Sequence, residues 1–534
     1  MLLLDVVHVS SAVAATRSRK TKVAAIADLL ERARDDQDPD AAVETVVAFI
    51  GGSLRQRRTG LGWRGLASLP APAERPTLTV VGVDAAFEAL AAMSGPGSQA
   101  ARVEAVNALF GAATAQEQPW MRALVTGEVR QGASDALVQE ALAIVADVPV
   151  AAVRRAAMLA GSTLPVVRPA FDGGVRALEQ IGLEVGRPVL PMLASSAKTV
   201  GEAVSKAGGA GGGAVAVDVK LDGIRVQVHR WADEVLVVTR SLDDITSRLP
   251  EVVAVARALP AESFVLDGEV LAVGPDGRPR PFQETASRTG RQDEAAAAAA
   301  SITPYFFDLL HLDGRDLLDE PAQQRAAALE TLVPAEHRVG RLVTADVEAA
   351  EEFAASSVDA GHEGVVVKGL SAPYAAGRRG AAWVKVKPVH TLDLVVLAVE
   401  WGSGRRKGWL SNIHLGARDP ERPGELVMLG KTLEGTGLPI PPGWVPVGKT
   451  FKGMTDEMLA WQTERFLGLE TAREGHVVAV EPVQVVEIAI DGVQRSSRYP
   501  RGVALRFARV IRYRDDKTAE EADSIDTLRP LLSG

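Results

Sequence analysis

Hydrophobic residues in the first third of the chain recur about every 3.6 residues, the spacing that places them on one face of an α-helix. Glycine and proline residues separate these segments, as is typical at helix ends. The pattern predicts an all-α domain over residues 1–185. The clearest predicted helices are Thr21–Ala33, Val83–Ala92, Ala100–Ala112 and Ala133–Val145.

The pattern changes near residue 187, where Pro188 and Pro191 disfavour helix and predict an extended linker. A glycine run at Gly208–Gly213 predicts a loop, and beyond it strands alternate with helices such as Pro250–Ala258 and Gln323–Leu332. Residues 186–388 are therefore predicted to form an α+β domain. The predicted strands are Val215–Lys220, Ile224–His229, Glu234–Thr239, Phe264–Val273, Tyr305–Leu312 and Gly364–Lys368.

Short strands dominate residues 389–534, interrupted by one predicted helix at Asp456–Leu469. A small β-barrel is the natural closure for such a set of strands. The predicted strands are Leu392–Val399, Glu425–Lys431, Val477–Val480, Val485–Ile490 and Val503–Val510.

Composition narrows the class of protein. Hydrophobic residues make up 47% and charged residues 24% of the 534 residues, an ordinary globular balance. The absence of cysteine excludes disulfides, thiolate nucleophiles and cysteine-based zinc sites. No apolar run reaches the about 18 residues of a membrane span, and residues 1–15 lack the basic start of a signal peptide. We therefore expect a cytoplasmic protein without a membrane partner.

The formal charge of −9 argues against a uniformly basic surface for nucleic acid. Net charge does not describe local patches, however, and several basic clusters predict phosphate contacts. Their members are Arg55, Arg57, Arg58 and Arg64; Arg378, Arg379, Lys385 and Lys387; Arg405, Arg406 and Lys407; and Arg501, Arg506, Arg509, Arg512, Arg514 and Lys517.

Candidate chemistry begins on the predicted strand Val215–Lys220. Side chains alternate between the faces of a strand, so Asp218 and Lys220 share a face. A glycine turn and Arg225 follow. A lysine held in this way at a strand end is suited to act as a nucleophile toward a phosphate.

The same alternation places Asp267 with Glu269, and Trp383 with Lys385 and Lys387. A single Lys-x-Asp-Gly is common by chance, and alternating charge on a strand usually reflects solvation. The ordered set predicts a polar cleft with acids for a divalent metal and lysines for phosphate.

This set resembles the motifs of the covalent nucleotidyltransferases, the superfamily of DNA ligases, RNA ligases and mRNA-capping enzymes. The three-domain ATP-dependent DNA ligases, including the actinobacterial ligase B group, are the most similar. The resemblance implies a helical DNA-binding domain, an adenylation domain and a C-terminal OB-fold β-barrel. The matching segments are Lys220–Arg225, Thr239–Thr246, Asp267–Glu269, Phe307–Gly314, Glu363–Lys368, Trp383–Lys387 and Arg514–Lys517.

The resemblance implies that Lys220 attacks the α-phosphorus of ATP and carries a covalent lysyl-AMP. Lysine is a nucleophile only when neutral, and we expect nearby cations to lower its pKa from about 10.4. Glu269 and Glu363 are the implied ligands of Mg²⁺. The implied ATP-binding residues are Asp218, Arg225, Arg240, Glu269, Phe307, Arg379, Lys385, Lys387, Arg514 and Lys517.

Individual roles are also implied. Asp218, where the family usually has glutamate, would accept the adenine amino group, Phe307 would stack on adenine, and Arg225 would hold the ribose. The remaining basic residues would contact phosphates, and Arg514, Asp516 and Lys517 would orient the pyrophosphate when the barrel closes.

The implied function is the sealing of nicks in duplex DNA through a DNA-adenylate, in replication, repair or recombination. We expect a monomer that encircles the DNA, with a phosphate contact from the segment Arg57–Arg64. An RNA ligase and a GTP-dependent capping enzyme remain alternatives within the superfamily, and a non-catalytic nick-binding scaffold is an alternative outside it. An NAD-dependent ligase is disfavoured because that class carries a cysteine zinc module.

Overall fold

The computed structural model describes residues 1–56, 59–129, 131–209, 212–274, 277–280, 282–290, 302–375, 379–402, 406–421, 443–450, 453–497, 499 and 501–532. Several sequence predictions lie outside these residues: the strand Glu425–Lys431 and the phosphate contacts of Arg57, Arg58, Arg378 and Arg405.

The predicted helical region is confirmed. Its apolar faces meet in one core around Phe49, Phe87 and Phe110, and the ring of Trp120 packs edge-on against Phe49 at a centroid distance of 6.0 Å. No helix in the described part of the chain is long and apolar enough to cross a membrane. The helices are α1 (Leu3–Ala15), α2 (Arg19–Arg34), α3 (Pro39–Ile50), α4 (Val80–Ala92), α5 (Ser98–Gly111), α6 (Glu117–Val125), α7 (Asp135–Val145), α8 (Val150–Leu159), α9 (Val167–Asp172) and α10 (Gly174–Glu179).

The middle region contains two five-stranded sheets with helices packed against them. The first sheet has the strand order β1-β10-β9-β2-β8, and the second has the order β4-β3-β5-β6-β7. The strands are β1 (Leu193–Ser196), β2 (Val215–Lys220), β3 (Ile224–Trp231), β4 (Glu234–Thr239), β5 (Ser263–Ala272), β6 (Ile302–Leu312), β7 (Arg315–Asp316), β8 (Arg341–Thr344), β9 (Gly364–Gly369) and β10 (Arg379–Val386). The helices are α11 (Val200–Gly208), α12 (Pro250–Ala258), α13 (Phe282–Gly290), α14 (Ala322–Leu332) and α15 (Val347–Asp359).

The predicted linker after residue 187 is held against β3 by polar side chains. The backbone N–H of Gly186 donates to His229 Nδ1 at 3.1 Å, and that of Val189 donates to Gln227 Oε1 at 2.9 Å. Gln227 and His229 share one face of β3, which explains how a segment without regular structure follows the strand. Burial, followed by the charge of His311, lowers the pKa of His229 to about 3, so this histidine is neutral.

The C-terminal region is rich in strands, as predicted. Strands β13-β12-β11-β15-β14 follow one another in a seven-stranded sheet, in which β16 pairs with β11 and β19, and β17 pairs with β18 separately. These pairings do not close a ring among the described strands. The elements are β11 (His390–Trp401), β12 (Leu410–Arg418), β13 (Trp444–Thr450), α16 (Asp456–Leu467), β14 (Glu470–Glu474), β15 (Val477–Val480), β16 (Val485–Ile490), β17 (Gly492–Arg495), β18 (Val503–Arg506), β19 (Arg509–Tyr513) and α17 (Ile525–Leu528).

One predicted strand is wrong in its continuity. The sequence predicts a single strand over Val503–Val510, but β18 ends at Arg506 and β19 begins at Arg509. Phe507 lies between them with a φ of 52°, in the left-handed region that no extended strand contains. Hydrophobic alternation cannot reveal such a turn, since the apolar residues continue through it.

A buried ion pair ties α14 to the second sheet. Arg325 is 1% exposed, and its Nε and Nη2 donate to the two carboxylate oxygens of Asp308 at 2.7 and 3.0 Å. Arg325 Nη1 also donates to the backbone oxygens of Glu320 and Ala372 at 2.6 and 3.1 Å. One side chain therefore joins β6, α14 and the loop after β9.

We expect Arg325→Met to lower the free energy of unfolding by about 3–5 kcal/mol, because it leaves the Asp308 carboxylate buried without its ion-pair partner. Urea unfolding followed by tryptophan fluorescence measures the change. Arg315→Met is the matched control: Arg315 pairs with Glu320 at 2.8 Å but is 66% exposed, so we expect a change below about 1 kcal/mol. Equal effects of the two substitutions would contradict the assigned role of Arg325.

Candidate active site

The largest concentration of predicted site residues lies in a cleft between the two sheets of the middle region. The cleft encloses a cavity of about 400 Å³, a size suited to a small-molecule ligand. One sheet contributes Asp218, Lys220, Lys368, Trp383 and Lys385, and the other contributes Arg225, Glu269 and Phe307. The predicted sharing of a face by Asp218 and Lys220 is confirmed, since both line the cavity while Val215 and Val217 pack into the core behind.

The nucleophile candidate Lys220 is positioned by the pairing of β2 with β9. Lys220 lies opposite Gly364 in this antiparallel pair, and the backbone N–H of Glu363 donates to the Lys220 oxygen at 3.0 Å. The side chains meet as well, with Lys220 Nζ 2.5 Å from Glu363 Oε2. Gly364 has a φ of 134°, and a Cβ there would collide with the backbone oxygen of Val386, so only glycine fits.

Glu269 approaches Lys220 from the opposite sheet. Its Oε1 accepts a hydrogen bond from the backbone N–H of Gly223 at 3.0 Å, which fixes the turn after Lys220. A Cβ at Gly223 would collide with the backbone oxygen of Val270, which explains the glycine in that turn. Burial raises the pKa of Glu269, and the charge of Lys220 opposes this shift.

The prediction that nearby cations lower the pKa of Lys220 is wrong for the protein without bound nucleotide. Burial lowers the pKa of Lys220, but the charges of Glu363 and Glu269 outweigh it and leave that pKa above its ordinary value. Lys387, which we expected to act as a nearby cation, is itself paired with Glu363. In this arrangement Lys220 is therefore held as an ammonium group.

Asp218 lies at the other end of the cavity, 2% exposed, in a cluster of three charges. Arg341 Nε and Nη2 donate to its two oxygens at 2.6 and 2.8 Å, and Lys368 Nζ lies 2.7 Å from Oδ2. Burial raises the pKa of Asp218, but Lys368 and Arg341 outweigh burial and lower it below its ordinary value. Asp218 is therefore an ionised hydrogen-bond acceptor.

Aromatic rings form one wall of the cavity. Phe307 and Trp383 pack edge-to-face with centroids 5.9 Å apart, and Lys368 Nζ lies 4.6 and 4.2 Å from the two centroids. Burial lowers the pKa of Lys368, although the charge of Asp218 opposes the shift. Lys368 is thus a second buried lysine in the cavity, with the opposite pKa direction to Lys220.

Arg225 is fixed by a network beneath the cavity. Its Nε and Nη2 donate to Asp267 at 3.0 and 2.6 Å, and its Nη1 donates to the Met192 oxygen at 2.7 Å. Tyr374, 2% exposed, donates its hydroxyl to Asp267 Oδ2 at 2.7 Å. Asp267, predicted to share a face with Glu269, thus acts through Arg225 and does not line the cavity.

The other predicted residues are distributed unevenly. Arg240 and Lys385 line the cavity. Lys387 pairs with Glu363 and lies 3.8 Å from Asp491 of the C-terminal region. The side chain of Arg379 lies outside the described residues, although its backbone pairs with Leu193.

Arg514 and Lys517 do not line this cavity. Arg514 donates to Asp516 at 2.8 and 2.7 Å, and Lys517 Nζ lies 2.6 Å from Asp393 Oδ2. The face that the C-terminal region turns toward the cleft carries Arg506, whose Nη1 donates to Asp222 at 2.8 Å, two residues after Lys220.

The C-terminal basic cluster is largely neutralised within the protein, which corrects the expectation of a free basic patch there. Arg501 pairs with Asp419 at 2.5 Å, Arg509 with Asp491 at 3.2 Å, and Arg512 with Glu487 at 2.8 Å. In the first region Arg55 likewise pairs with Asp84 at 3.0 Å. Charge counting along the chain cannot detect partners that are distant in sequence.

Sequence reasoning missed Arg341 and Tyr374, and it treated Lys368 only as the end of a motif. Arg341 belongs to a short strand, β8, whose four residues give too brief a pattern to detect. Tyr374 lies in a loop, where no periodicity applies. The one available signal was the Lys368 charge at the end of an otherwise apolar strand, since an unsolvated lysine requires a partner.

Comparison with known proteins agrees with this geometry. Family models described as DNA ligase N terminus, ATP dependent DNA ligase domain and ATP dependent DNA ligase C terminal region match residues 68–143, 191–387 and 406–517. A protein from Nocardioides sp. described as probable DNA ligase is 67% identical over 532 residues, covering 100% of this chain and 99% of the relative. Another so described, from Beutenbergia cavernae, is 61% identical and covers 99% of both chains.

The chain belongs to the ATP-dependent DNA ligase family. Its fold is similar to that of the solved structure Pmar-Lig_PreS3, with a TM-score of 0.59, 17% identity, and coverage of 95% of this chain and 99% of that chain. The ligase therefore has the three-part architecture of the family, with a helical N-terminal region and a strand-rich C-terminal region.

The electrostatics of Lys220 generate a prediction for the ligase without nucleotide. Glu363→Gln removes the carboxylate that contributes most to raising the Lys220 pKa, so the neutral fraction of Lys220 should rise. We expect roughly ten-fold faster acetylation of Lys220 by an N-hydroxysuccinimide ester at neutral pH, because only the neutral amine reacts. Peptide mass spectrometry measures the rate.

Glu336→Gln, at an exposed position in a 3₁₀ turn, is the matched control and should leave the rate unchanged. Circular dichroism checks that both variants fold. An unchanged Lys220 rate in folded Glu363→Gln would refute the assigned pairing.

Proposed function

We propose that this ligase seals nicks in duplex DNA through a covalent AMP on Lys220. The observation that carries the proposal is the position of Lys220 in the cleft, between Glu363 of one sheet and Glu269 of the other. The same cavity holds an aromatic wall and an ionised acceptor at its other end, which suits a purine nucleotide. Its size and two chemically different ends support ATP as the nucleotide.

Three steps follow from this assignment. The Lys220 amine loses its proton and attacks the α-phosphorus, so that a P–N bond forms and pyrophosphate leaves. The 5′-phosphate of the nick then takes the AMP, forming a P–O bond as the P–N bond breaks. The 3′-hydroxyl loses its proton and attacks that 5′-phosphate, closing the phosphodiester and releasing AMP.

At the adenine end, Asp218 accepts a hydrogen bond from the amino group while Phe307 contacts the base. A carboxylate offers about four acceptor positions, and Arg341 and Lys368 occupy three of those on Asp218. One position remains, which is the number an adenine amino group requires. This geometry supports adenine recognition by the shorter aspartate.

Lys385 and Arg240, which both line the cavity, contribute positive charge for the phosphates. We propose that Arg379 and Lys387 join them, and that Arg225 contacts the ribose. Phosphoryl transfer depends mainly on positioning and charge neutralisation, so this set of residues needs no catalytic histidine.

We propose that Glu269 and Glu363 would hold Mg²⁺. Carboxylate oxygens suit this ion, which commonly binds one or two carboxylates together with substrate phosphates. No group of three or more acidic or histidine side chains arranged for a metal occurs within the described ranges. When bound, the ion supplies neutralisation of phosphate charge. Without the ion, the charges of Glu363 and Glu269 stabilise the Lys220 ammonium group.

We further propose that the domains span residues 1–185, 186–388 and 389–534, and that the last is an OB-fold barrel. Two hydrophobic clusters that lie beyond residue 391 support the second limit. One large cluster lies within the helical region, and a further cluster joins Met158 and Leu159 to Val265 across the first limit. Closure of the barrel is supported by Gly448 of β13, where a Cβ would lie 3.3 Å from the Leu505 side chain of β18. Arg514, Asp516 and Lys517 are proposed to reach the pyrophosphate after this domain reorients.

The proposed partner is a nicked duplex, encircled by one copy of the chain in the cytoplasm. An exposed ion pair supports ring closure: Arg17, at the start of the helical region, donates to Asp456 of α16 at 2.7 Å. The segment Arg57–Arg64 remains the proposed phosphate contact of the helical domain. Trp63, within this segment, is 56% exposed.

We expect the ligase to acquire label from ATP labelled at the α-phosphorus, and expect Lys220→Ala to abolish it. Denaturing electrophoresis detects the adduct, and peptide mass spectrometry identifies the modified lysine. Mapping is essential because Lys368 is a second buried lysine in the cavity, with a lowered pKa. Label on Lys368 in place of Lys220 would refute the proposed nucleophile.

Lys206→Ala is the matched control, since Lys206 lies exposed on α11 outside the cavity lining, and it should retain full label. Pyrophosphate treatment beforehand removes any AMP already attached. Label from GTP but not ATP would indicate the capping reaction, and no label from any nucleotide would leave a nick-binding scaffold.

The proposed grip on DNA predicts strong dependence on salt. The logarithm of the affinity for nicked duplex should fall linearly with the logarithm of salt concentration, with a slope of about −5 for roughly six phosphate contacts. Fluorescence anisotropy measures the affinity, and transfer of the AMP label identifies productive binding. An intact duplex of the same sequence is the control. A slope near zero, or transfer of label to the intact duplex, would contradict the proposal.

A further inference from the structure

A tyrosine that no motif contains connects three parts of the cleft. Tyr374 follows β9 in a loop and is 2% exposed. Its hydroxyl donates to Asp267 Oδ2 at 2.7 Å, and accepts from the backbone N–H of Met192 at 3.0 Å and from Arg225 Nη2 at 3.4 Å. Each hydrogen-bonding position of the hydroxyl is therefore used.

The ring of Tyr374 is held as firmly as its hydroxyl. It packs edge-to-face against Trp383 with centroids 5.9 Å apart, and the guanidinium of Arg325 lies 6.0 Å from its centroid. Its backbone N–H donates to the Leu318 oxygen at 2.7 Å. Burial, followed by the charge of Asp267, raises the pKa of Tyr374 well above its ordinary value, so the hydroxyl keeps the proton that it donates.

These contacts determine what Arg225 can offer to a ligand. A guanidinium has five N–H groups. Asp267 takes the Nε hydrogen and one Nη2 hydrogen, Tyr374 takes the other Nη2 hydrogen, and the Met192 oxygen takes one from Nη1. One N–H of Nη1 is left without a partner among the described residues, on a side chain that lines the cavity.

We propose that Tyr374 is a positioning residue for nucleotide recognition, which directs the single remaining N–H of Arg225 toward one hydroxyl of the ribose. This inference rests on the proposed function, in which Arg225 contacts the ribose of ATP. Without the Tyr374 hydroxyl, Nη2 and Asp267 each lose a partner, and the guanidinium can rotate between Asp267 and the cavity. Recognition of the ribose then weakens, whereas the chemistry at Lys220 on the opposite sheet is retained.

The test is single-turnover adenylation of Tyr374→Phe with ATP, 2′-deoxy-ATP and 3′-deoxy-ATP. For each nucleotide the rate at saturation and the half-saturating concentration are measured. In the wild type, removal of the contacted hydroxyl should raise the half-saturating concentration by roughly ten-fold, as expected for a hydrogen bond to a charged group. In Tyr374→Phe that penalty should shrink to about two-fold or less, because the contact is already weak with ATP. The rate at saturation should change little.

Tyr513→Phe is the matched control. Tyr513 is a partly buried tyrosine whose hydroxyl also donates to a side chain, Gln462 Oε1 at 2.8 Å, but it lies in the C-terminal region. Tyr513→Phe should leave unchanged the rise in half-saturating concentration that removal of each ribose hydroxyl causes. Asp267→Asn provides a second variant, which keeps the shape of the side chain and should reduce the same penalty.

The outcomes separate this inference from the proposed function. A wild type that forms no adduct on Lys220 overturns both. Wild-type adduct formation with an unchanged penalty in Tyr374→Phe overturns the inference alone. An equal rise in the half-saturating concentration of ATP and of both deoxynucleotides also overturns the inference, because a purely structural role would affect all three nucleotides alike.

Discussion

The antiparallel register of β2 and β9 is the constraint on which the site depends. With Lys220 opposite Gly364, the carboxylate of Glu363 lies beside the Lys220 amine. Lys368, four residues after Gly364 on the same strand, reaches Asp218. A shift of one residue would turn these charged side chains into the hydrophobic core formed by Val215 and Val217. Gly364 secures the register, because the end of β10 approaches too closely for any side chain there.

Charge compensation gives the cleft its resting state. Asp218 pairs with Arg341 and Lys368, Asp267 with Arg225, and Glu363 with both Lys220 and Lys387. Buried ions of one sign are costly, so each of these three acids is held with a cation even when no nucleotide is present. In the proposed reaction, triphosphate would compete with Glu363 for the lysines, and a cation that neutralises Glu363 would favour loss of the Lys220 proton.

The two sheets perform different tasks. The sheet with β2 and β9 holds the lysines and Glu363, whereas the sheet with β3 and β5 holds Arg225 in a network with Asp267. Tyr374 joins the two sheets, because it lies in the loop after β9 and its hydroxyl donates to Asp267 of β5. The C-terminal region adds Arg506 against Asp222 and keeps Arg514 and Lys517 with Asp393, so its present contacts and its proposed contacts with pyrophosphate exclude each other.

The sequence by itself determined the elements and the nucleophile candidate, because helix and strand periodicities and the ordered charged motifs are local properties of the chain. It correctly placed Asp218 and Lys220 on one face of β2 and predicted the extent of β4. Only the tertiary structure decided the charge state of Lys220, the pairing of the C-terminal arginines, and the roles of Arg341 and Tyr374. These depend on partners that are distant in sequence and meet only when the sheets have formed. Asp218 with Arg341 and Tyr374 with Asp267 are more than a hundred residues apart. The break at Phe507 was decided in the same way, since a single left-handed residue leaves no trace in the hydrophobic pattern.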